Sequence, residues 1–345
     1  MAIGTIYYLI PNIFRGRFSL RELWRHAKRG EGLLFIKRCF TNNKSAIGGI
    51  KVFYQHVKYL RELGYDAHAV AMGKYDGNIY YPELGSKSFK DIGGSLKPND
   101  IVVATEFRPY DALVFKGGKR VLFAQSWVFL KQTLKAEDRD KSYRDMGFDY
   151  VISCGDFIKE TIKKNNDEQC FTISNAIDDE VFYADPSVRI ENRVIVLPRK
   201  NPADIEKIIG LVKKKFSKVE FYYAEGLNEK RIAEAFRCSD IFLSSGYPEG
   251  LPLPPMEAMC SGAVVVGFSG QGGLQYMIDG ITALVSDDGD CQHAASNLIK
   301  VLSDEKLKET LRQGGAVIMK DYTLKHFKKR IGEFYGIVES DLSNH

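Results

Sequence analysis

Residues 244–276 read SSGYPEGLPLPPMEAMCSGAVVVGFSGQGGLQY, and the order of apolar, proline and glycine positions in this stretch decides the fold. The apolar run from Ile241 to Ser245 just before it reads as a buried strand. The chain then turns through Gly246 and Pro248 and enters a helix at Pro254 and Pro255, where a fixed φ and a missing N–H cost least. The helical run MEAMC stops at Gly262, and AVVVGF follows at once as a fully apolar strand. A second loop, SGQGGLQ from Ser269 to Gln275, leads to another expected helix start at Gly272 and Gly273. Strand, loop, helix, strand in this order is a repeating unit of a parallel sheet.

Glu249 stands in the first loop and Glu257 in the expected first turn of the helix, so the two carboxylates need not share a helical face. First-turn N–H groups and the helix dipole favour an anion there. At Gly272 and Gly273 the missing side chains let backbone approach a phosphate closely. Two helix starts and two carboxylates suit a diphosphate resting on N–H groups while the carboxylates accept hydrogen bonds from hydroxyls.

The stretch EGLPLPPMEAM, with Glu249 and Glu257 eight positions apart, followed by SGAVVVGF and the Gly-Gly start, resembles the E-x7-E block of retaining glycosyltransferase family four. The fold this resemblance implies is α/β of the GT-B type, two Rossmann-like domains facing across a cleft. It also implies that Glu249 contacts a donor sugar and Glu257 a ribose, with Ser245, Gly250, Leu251, Gly272 and Gly273 completing the donor site. Arg199, at the end of VIVLPRK, resembles the arginine that members aim at the donor diphosphate, where a guanidinium suits bidentate contact. The companion lysine usually follows five positions later, but Asp204 stands there, and Lys200 is the substitute. In the first half, Gly48 and Gly49 resemble the glycine-rich loop placed near the reaction centre. Gln125 and Ser126 occupy the neighbourhood in which many members carry a histidine, and neither is a general base near neutral pH.

The expected function is therefore metal-independent transfer of a hexosyl group, with retention, from a nucleoside diphosphate sugar to a hydroxyl of a glycan, a lipid-linked or a small-molecule acceptor. No cofactor is expected beyond the donor itself. Three alternatives stay open: a GT-B protein that binds nucleotide sugar without turnover, motivated by Asp204 and Gln125; a GT-B sugar-nucleotide epimerase; and a membrane-docked scaffold.

The whole chain sets outer limits. At 345 residues it exceeds the size at which one core usually stops growing, so two domains are expected. Hydrophobic residues make up 44% and charged residues 27%, as in ordinary globular proteins. No apolar run approaches the roughly 18 residues of a membrane span, and MAIGTIYYLIP is too short and uncharged for a signal peptide and reads as a first strand. The six cysteines form no C-x-x-C pair and read as reduced thiols, which points to the cytoplasm. Histidines show no metal spacing, and the two D-x-D matches, Asp138–Asp140 and Asp288–Asp290, lie in a charged run and in a polar loop opening a helix.

The net charge of +5 is uneven: between Arg15 and Lys44 nine Lys and Arg face two Glu, a local +7 that leaves −2 for the rest. Leu20, Leu23, Trp24 and Ala27 have helical spacing among those arginines. Residues 15–44 thus suit an anionic membrane surface, which would place the protein peripherally at the inner face of a membrane, a phosphorylated acceptor, or packing on the protein itself with a solvated basic face. No nucleic-acid-binding module accompanies the charge, so nucleic acid is not an expected partner.

Strands and helices alternate along both halves. Expected domains are residues 1–184, an acceptor domain with a basic insertion at 13–44; 185–322, a donor domain; and 323–345, a C-terminal helix crossing back to the first domain. The run NAIDDEVF resembles the family's segment before the second domain, with Ala176 in place of glycine and Asp178 and Phe182 retained. The polar stretch Ala184 to Asn192 is the expected linker.

Overall fold

A computed structural model describes residues 2–11, 48–73, 78, 80–164 and 169–344. The basic stretch 15–44 lies outside the described residues. The chain divides into two compact units, one of residues 3–104 with 110–119, the other of residues 1–2, 105–109 and 120–345.

Twelve strands carry labels: β1 (Thr5–Ile10), β2 (Asp66–Ala71), β3 (Lys87–Ser88), β4 (Ile101–Thr105), β5 (Lys119–Ala124), β6 (Tyr150–Ser153), β7 (Cys170–Thr172), β8 (Ile190–Val196), β9 (Phe221–Tyr223), β10 (Ser239–Ser244), β11 (Val264–Phe268) and β12 (Ala283–Ser286). They form two sheets, β3-β2-β1-β4-β5-β6-β7 and β12-β11-β10-β8-β9. Parallel pairing accounts for the near-continuous apolar runs, since helices cover both faces of such a sheet.

In the unit of residues 3–104, α1 (Gly48–Glu62) follows β1 and precedes β2. Its face of Ile50, Phe53, Val57 and Leu60 is buried at helical spacing, and Gly64 ends the turn with φ 92°. The expected loop glycines Gly48 and Gly49 are themselves the first two residues of this helix, where they lie in its opening turn instead of preceding it.

Two helices, Pro202–Lys213 and Cys291–Ser303, pack together on the five-stranded sheet. Helix α2 (Asp156–Lys163) comes earlier, between β6 and β7; α3 (Pro202–Lys213) follows β8, α4 (Glu229–Arg237) precedes β10, and α5 (Leu253–Cys260) joins β10 to β11. After β12 come α6 (Cys291–Ser303), α7 (Glu305–Ile318) and α8 (Leu324–Ser343). Ile205, Ile208 and Val212 of α3 and Ala294, Leu298 and Val301 of α6 share one core with Val194, Ile241, Leu243, Val264 and Val266 of the strands. The Asp290 carboxylate accepts the His293 N–H and so opens α6, which assigns that half of the second D-x-D match to capping.

Strand β8 begins at Ile190, inside the expected linker, because Ile190 pairs with Ser239 before a register shift brings Val194 opposite Ile241. Buried Asp240 fixes that shift: it accepts the Asn192 N–H and binds Lys308 at 3.0 Å and Arg312 at 2.7 Å. In the same unit, Phe334 of α8 packs on Tyr150 and Phe171, and the Tyr150 hydroxyl donates to Asp341 at 3.0 Å.

Candidate active site

The chain leaves β8 toward β9 on one side and, after returning through α4, leaves β10 toward β11 on the other. The carboxyl ends of β8 and β10 therefore flank a topological switch point, the place where parallel sheets bind ligands. The loop after β8 carries Arg199, Lys200 and Asn201; the loop after β10 carries Ser245 to Leu251.

The two loops are tied together side chain to backbone. Asn201, left-handed at φ 48° ahead of Pro202, donates its amide to the carbonyls of Ser245 at 2.9 Å and Tyr247 at 3.0 Å. The buried Ser245 hydroxyl donates to the Lys200 carbonyl at 3.3 Å. These contacts bring Lys200 over the second loop, where its ammonium lies 2.7 Å from Glu249 Oε1 and donates to the Pro248 carbonyl at 3.0 Å. Both side chains of the pair reach solvent, at 37% and 22% exposure, so the charges are available to a ligand. Gly246 leaves the space: a Cβ there would touch Glu249 Oε1 at 3.4 Å and Lys200 Cδ at 4.0 Å. Arg199 is exposed in the same loop. Asp204 accepts the Tyr247 hydroxyl at 2.7 Å, and this hydrogen bond, ahead of burial, pushes the tyrosine up to about 12. Asp204 thus stabilises the loop that carries Glu249.

Glu257 sits on α5 as its fifth residue, in the second turn where the sequence suggested the first, because the helix starts at Leu253 behind Pro252. The glycine-rich loop departs further from expectation. No α-helix begins at Gly272; a single 3₁₀ turn spans Gly272–Gln275, too short to build a helix dipole. The Gly272 N–H donates to the Glu249 carbonyl at 3.3 Å and the Gly273 N–H to the Ser269 carbonyl at 3.0 Å, so the amides expected to hold a phosphate are engaged within the protein. Asp288, from the second D-x-D match, accepts the Gly270 N–H at 3.0 Å and holds this loop from below.

Instead, Gly250 and Gly272 serve close packing. A Cβ on Gly272 would collide with the Gly250 carbonyl, and one on Gly250 with the Gln125 carbonyl. Buried Leu251 offers its carbonyl to the Asn175 amide at 3.3 Å. Gln125 thus meets the loop after β10 through its backbone, and the nearby Trp127 indole donates to the Glu249 carbonyl at 3.1 Å. Sequence reading missed Trp127, Asn201 and Tyr247; of these, only the Asn-Pro pair at 201 carried a local cue, a turn opening a helix. Gly48 and Gly49 belong to the other compact unit. A separate polar cleft of about 380 Å³, bordered by Asp156, Gln275, Tyr322 and Arg330, holds none of the expected site residues. No helix among the described residues is long and apolar enough to cross a membrane.

The profile of the family "Glycosyl transferases group 1" matches residues 201–317, which span α3 through α7 and include Glu249 and Glu257. An alpha-1,6-glucosyltransferase of Actinobacillus pleuropneumoniae serotype 7 (strain AP76) is 24% identical over 331 residues, covering 89% of this chain and 96% of that protein. The structure of Anabaena HepE in complex with UDP and glucose superposes with a TM-score of 0.67 at 11% identity, over 96% of this chain and 99% of that one. The structure of Staphylococcus aureus TarM with fondaparinux, alpha-GlcNAc-glycerol and UDP superposes with a TM-score of 0.59 at 14% identity. That match covers 72% of this chain, which spans only 57% of TarM. Two parallel Rossmann-like sheets with these structural neighbours identify the fold as GT-B, with a glycosyl transferases group 1 match over residues 201–317.

Proposed function

We propose that the protein is a retaining hexosyltransferase that uses a nucleoside diphosphate sugar, with UDP-glucose the first donor to test. The observation that carries this reading is the Lys200–Glu249 pair at the switch point, where a cation and a carboxylate reach solvent side by side. The group 1 match, which covers Glu249, supports it, as do the UDP and glucose held by HepE and the activity named for the Actinobacillus relative. Residues 1–184 would serve the acceptor and residues 185–322 the donor.

In this reading Arg199 and Lys200 neutralise the diphosphate, Glu257 accepts hydrogen bonds from the ribose, and Glu249 accepts them from the sugar. The bond from the anomeric carbon to the diphosphate oxygen breaks, and a bond to the acceptor oxygen forms on the same face. The acceptor's proton passes to the departing diphosphate. Two fixed cations stabilise the developing negative charge where other transferases use a metal ion.

A thermal-shift panel of UDP, GDP, ADP and dTDP with their common sugars tests the reading, with Glu257→Ala and Arg199→Ala as controls. Selective stabilisation by one nucleotide class, lost in both variants and unchanged by EDTA, is the expected result. No shift with any nucleotide at millimolar ligand would overturn it. Nucleotide binding without release of free nucleoside diphosphate in the presence of any acceptor would point to a binding protein, the reading that Asp204 in place of a cation favours.

A further inference from the structure

Glu106, directly after β4, is 2% exposed and has no place in the donor site as read from sequence. It is a carboxylate in an apolar setting, a costly arrangement unless its oxygens are satisfied. Its Oε2 accepts the Thr105 hydroxyl at 2.7 Å and the Gln125 N–H at 3.0 Å, and the nearby N–H groups of Glu106 itself and of Ser126 further favour the charged form. The Thr133 hydroxyl lies 2.7 Å from the Glu106 carbonyl. The side chain therefore grips the turn after β5 through the Gln125 amide. That turn touches the donor loop at two points: the Gln125 carbonyl lies where a Cβ on Gly250 would be, and Trp127 donates to the Glu249 carbonyl at 3.1 Å.

We propose that Glu106 is a positioning residue of the donor site, acting through the 125–127 turn to set where Gly250 and the Glu249 backbone stand. This rests on the transferase reading only for its kinetic consequence; the mechanical link is independent of it. Burial pushes Glu106 up to about 7, opposed only by its hydrogen bonds. Near neutrality it therefore passes from an anion that accepts from every donor around it to an acid whose own O–H must displace one. The ionisable neighbour across the turn is Cys154, whose thiol donates to the Gln125 carbonyl at 3.7 Å and is itself raised, by burial first and by Glu106 second.

The chain has two tryptophans, Trp24 and Trp127, so Trp24→Phe leaves Trp127 as a reporter of the turn. In this background Trp127 emission should follow one sigmoid centred near pH 7. Glu106→Gln should abolish it, and Cys154→Ser should leave it in place. Hydrogen exchange at the Gln125 and Ser126 amides of the otherwise unaltered chain should quicken as pH falls through the same midpoint, after correction for intrinsic rates. With donor and acceptor supplied, Glu106→Gln should lower kcat/KM for the donor about tenfold, mostly through KM. A flat emission profile in the reporter protein, or the same sigmoid in Glu106→Gln, would overturn the proposal. Absence of any turnover would count against the transferase reading alone, because the emission and exchange measurements need no substrate.

Discussion

Lys200 Nζ lies 2.7 Å from Glu249 Oε1, joining the loop after β8 to the loop after β10. The pair is solvent-reached on both sides, and exposed ion pairs contribute only about 0–1 kcal/mol. Lys200→Met and Glu249→Gln should each shift unfolding by no more than about 1 kcal/mol while lowering turnover about 10²-fold, as loss of one electrostatic group at a transition state does. Parallel urea melts and steady-state kinetics check this; a large stability loss matching the activity loss would mean that the pair is structural.

The glycines at 250 and 272 predict the reverse pattern. Gly250→Ala and Gly272→Ala place a Cβ into backbone carbonyls that no side-chain rotation can move, and should destabilise the protein by about 1–3 kcal/mol or more. Gly246→Ala meets only side-chain atoms, the nearest at 3.4 Å, and should be close to neutral in the same urea midpoints.

Asp240 should be the most sensitive charged residue of the second sheet. Its partner Lys308 is 1% exposed, and removing one member of a buried pair costs about 3–5 kcal/mol, so Asp240→Asn should lose stability on that scale. Burial alone would raise the Asp240 carboxyl, but the Asn192 N–H, Lys308 and Arg312 outweigh it and hold the group below its ordinary 3.8. A folded pKa below the unfolded one gives stability that is complete above about pH 4 and fades as pH falls through the lower value. Acid titration of the unfolding free energy, which Asp240→Asn should flatten in that window, is the check.

His56 acts in a higher window. Its ring is fully buried, its Nδ1 lies 2.8 Å from the Tyr8 hydroxyl, and burial drives its pKa from 6.5 down to about 3. The folded state refuses a proton that the unfolded chain takes up, so stability is full above pH 6.5 and declines from there toward about 3. The slope approaches about 1.4 kcal/mol per pH unit. His56→Gln should remove this limb while leaving the one due to Asp240, as unfolding curves across that range would show.

Local grammar made most of the scaffold readable. The prolines at 254 and 255, the stop at Gly262 and the apolar run after it were enough for β10, α5 and β11, because each signal lies within a few residues of its effect. Arg199, Lys200, Glu249 and Glu257 were singled out by the family resemblance, and the structure brings Lys200 onto Glu249. What stayed hidden depends on distance in the chain. Trp127 meets Glu249 across 122 positions and Asn201 meets Tyr247 across 46, and no window of sequence contains either pair. The glycine at 272 shows a related ambiguity: a residue without a side chain fits a phosphate and a neighbouring backbone equally well, and here the neighbour is Gly250.

The layering of Gln125, Gly250 and Gly272 is contact between main chains, and main chains are the same whatever the residue. The frame of the site is thus insensitive to the identities of most side chains that project from it. In the transferase we propose, selection or engineering can change what surrounds the sugar or the base without disturbing the transfer geometry, provided the two glycines stay. Donor preference and transfer geometry are then separable traits, the first written in variable side chains and the second in three stacked peptide segments.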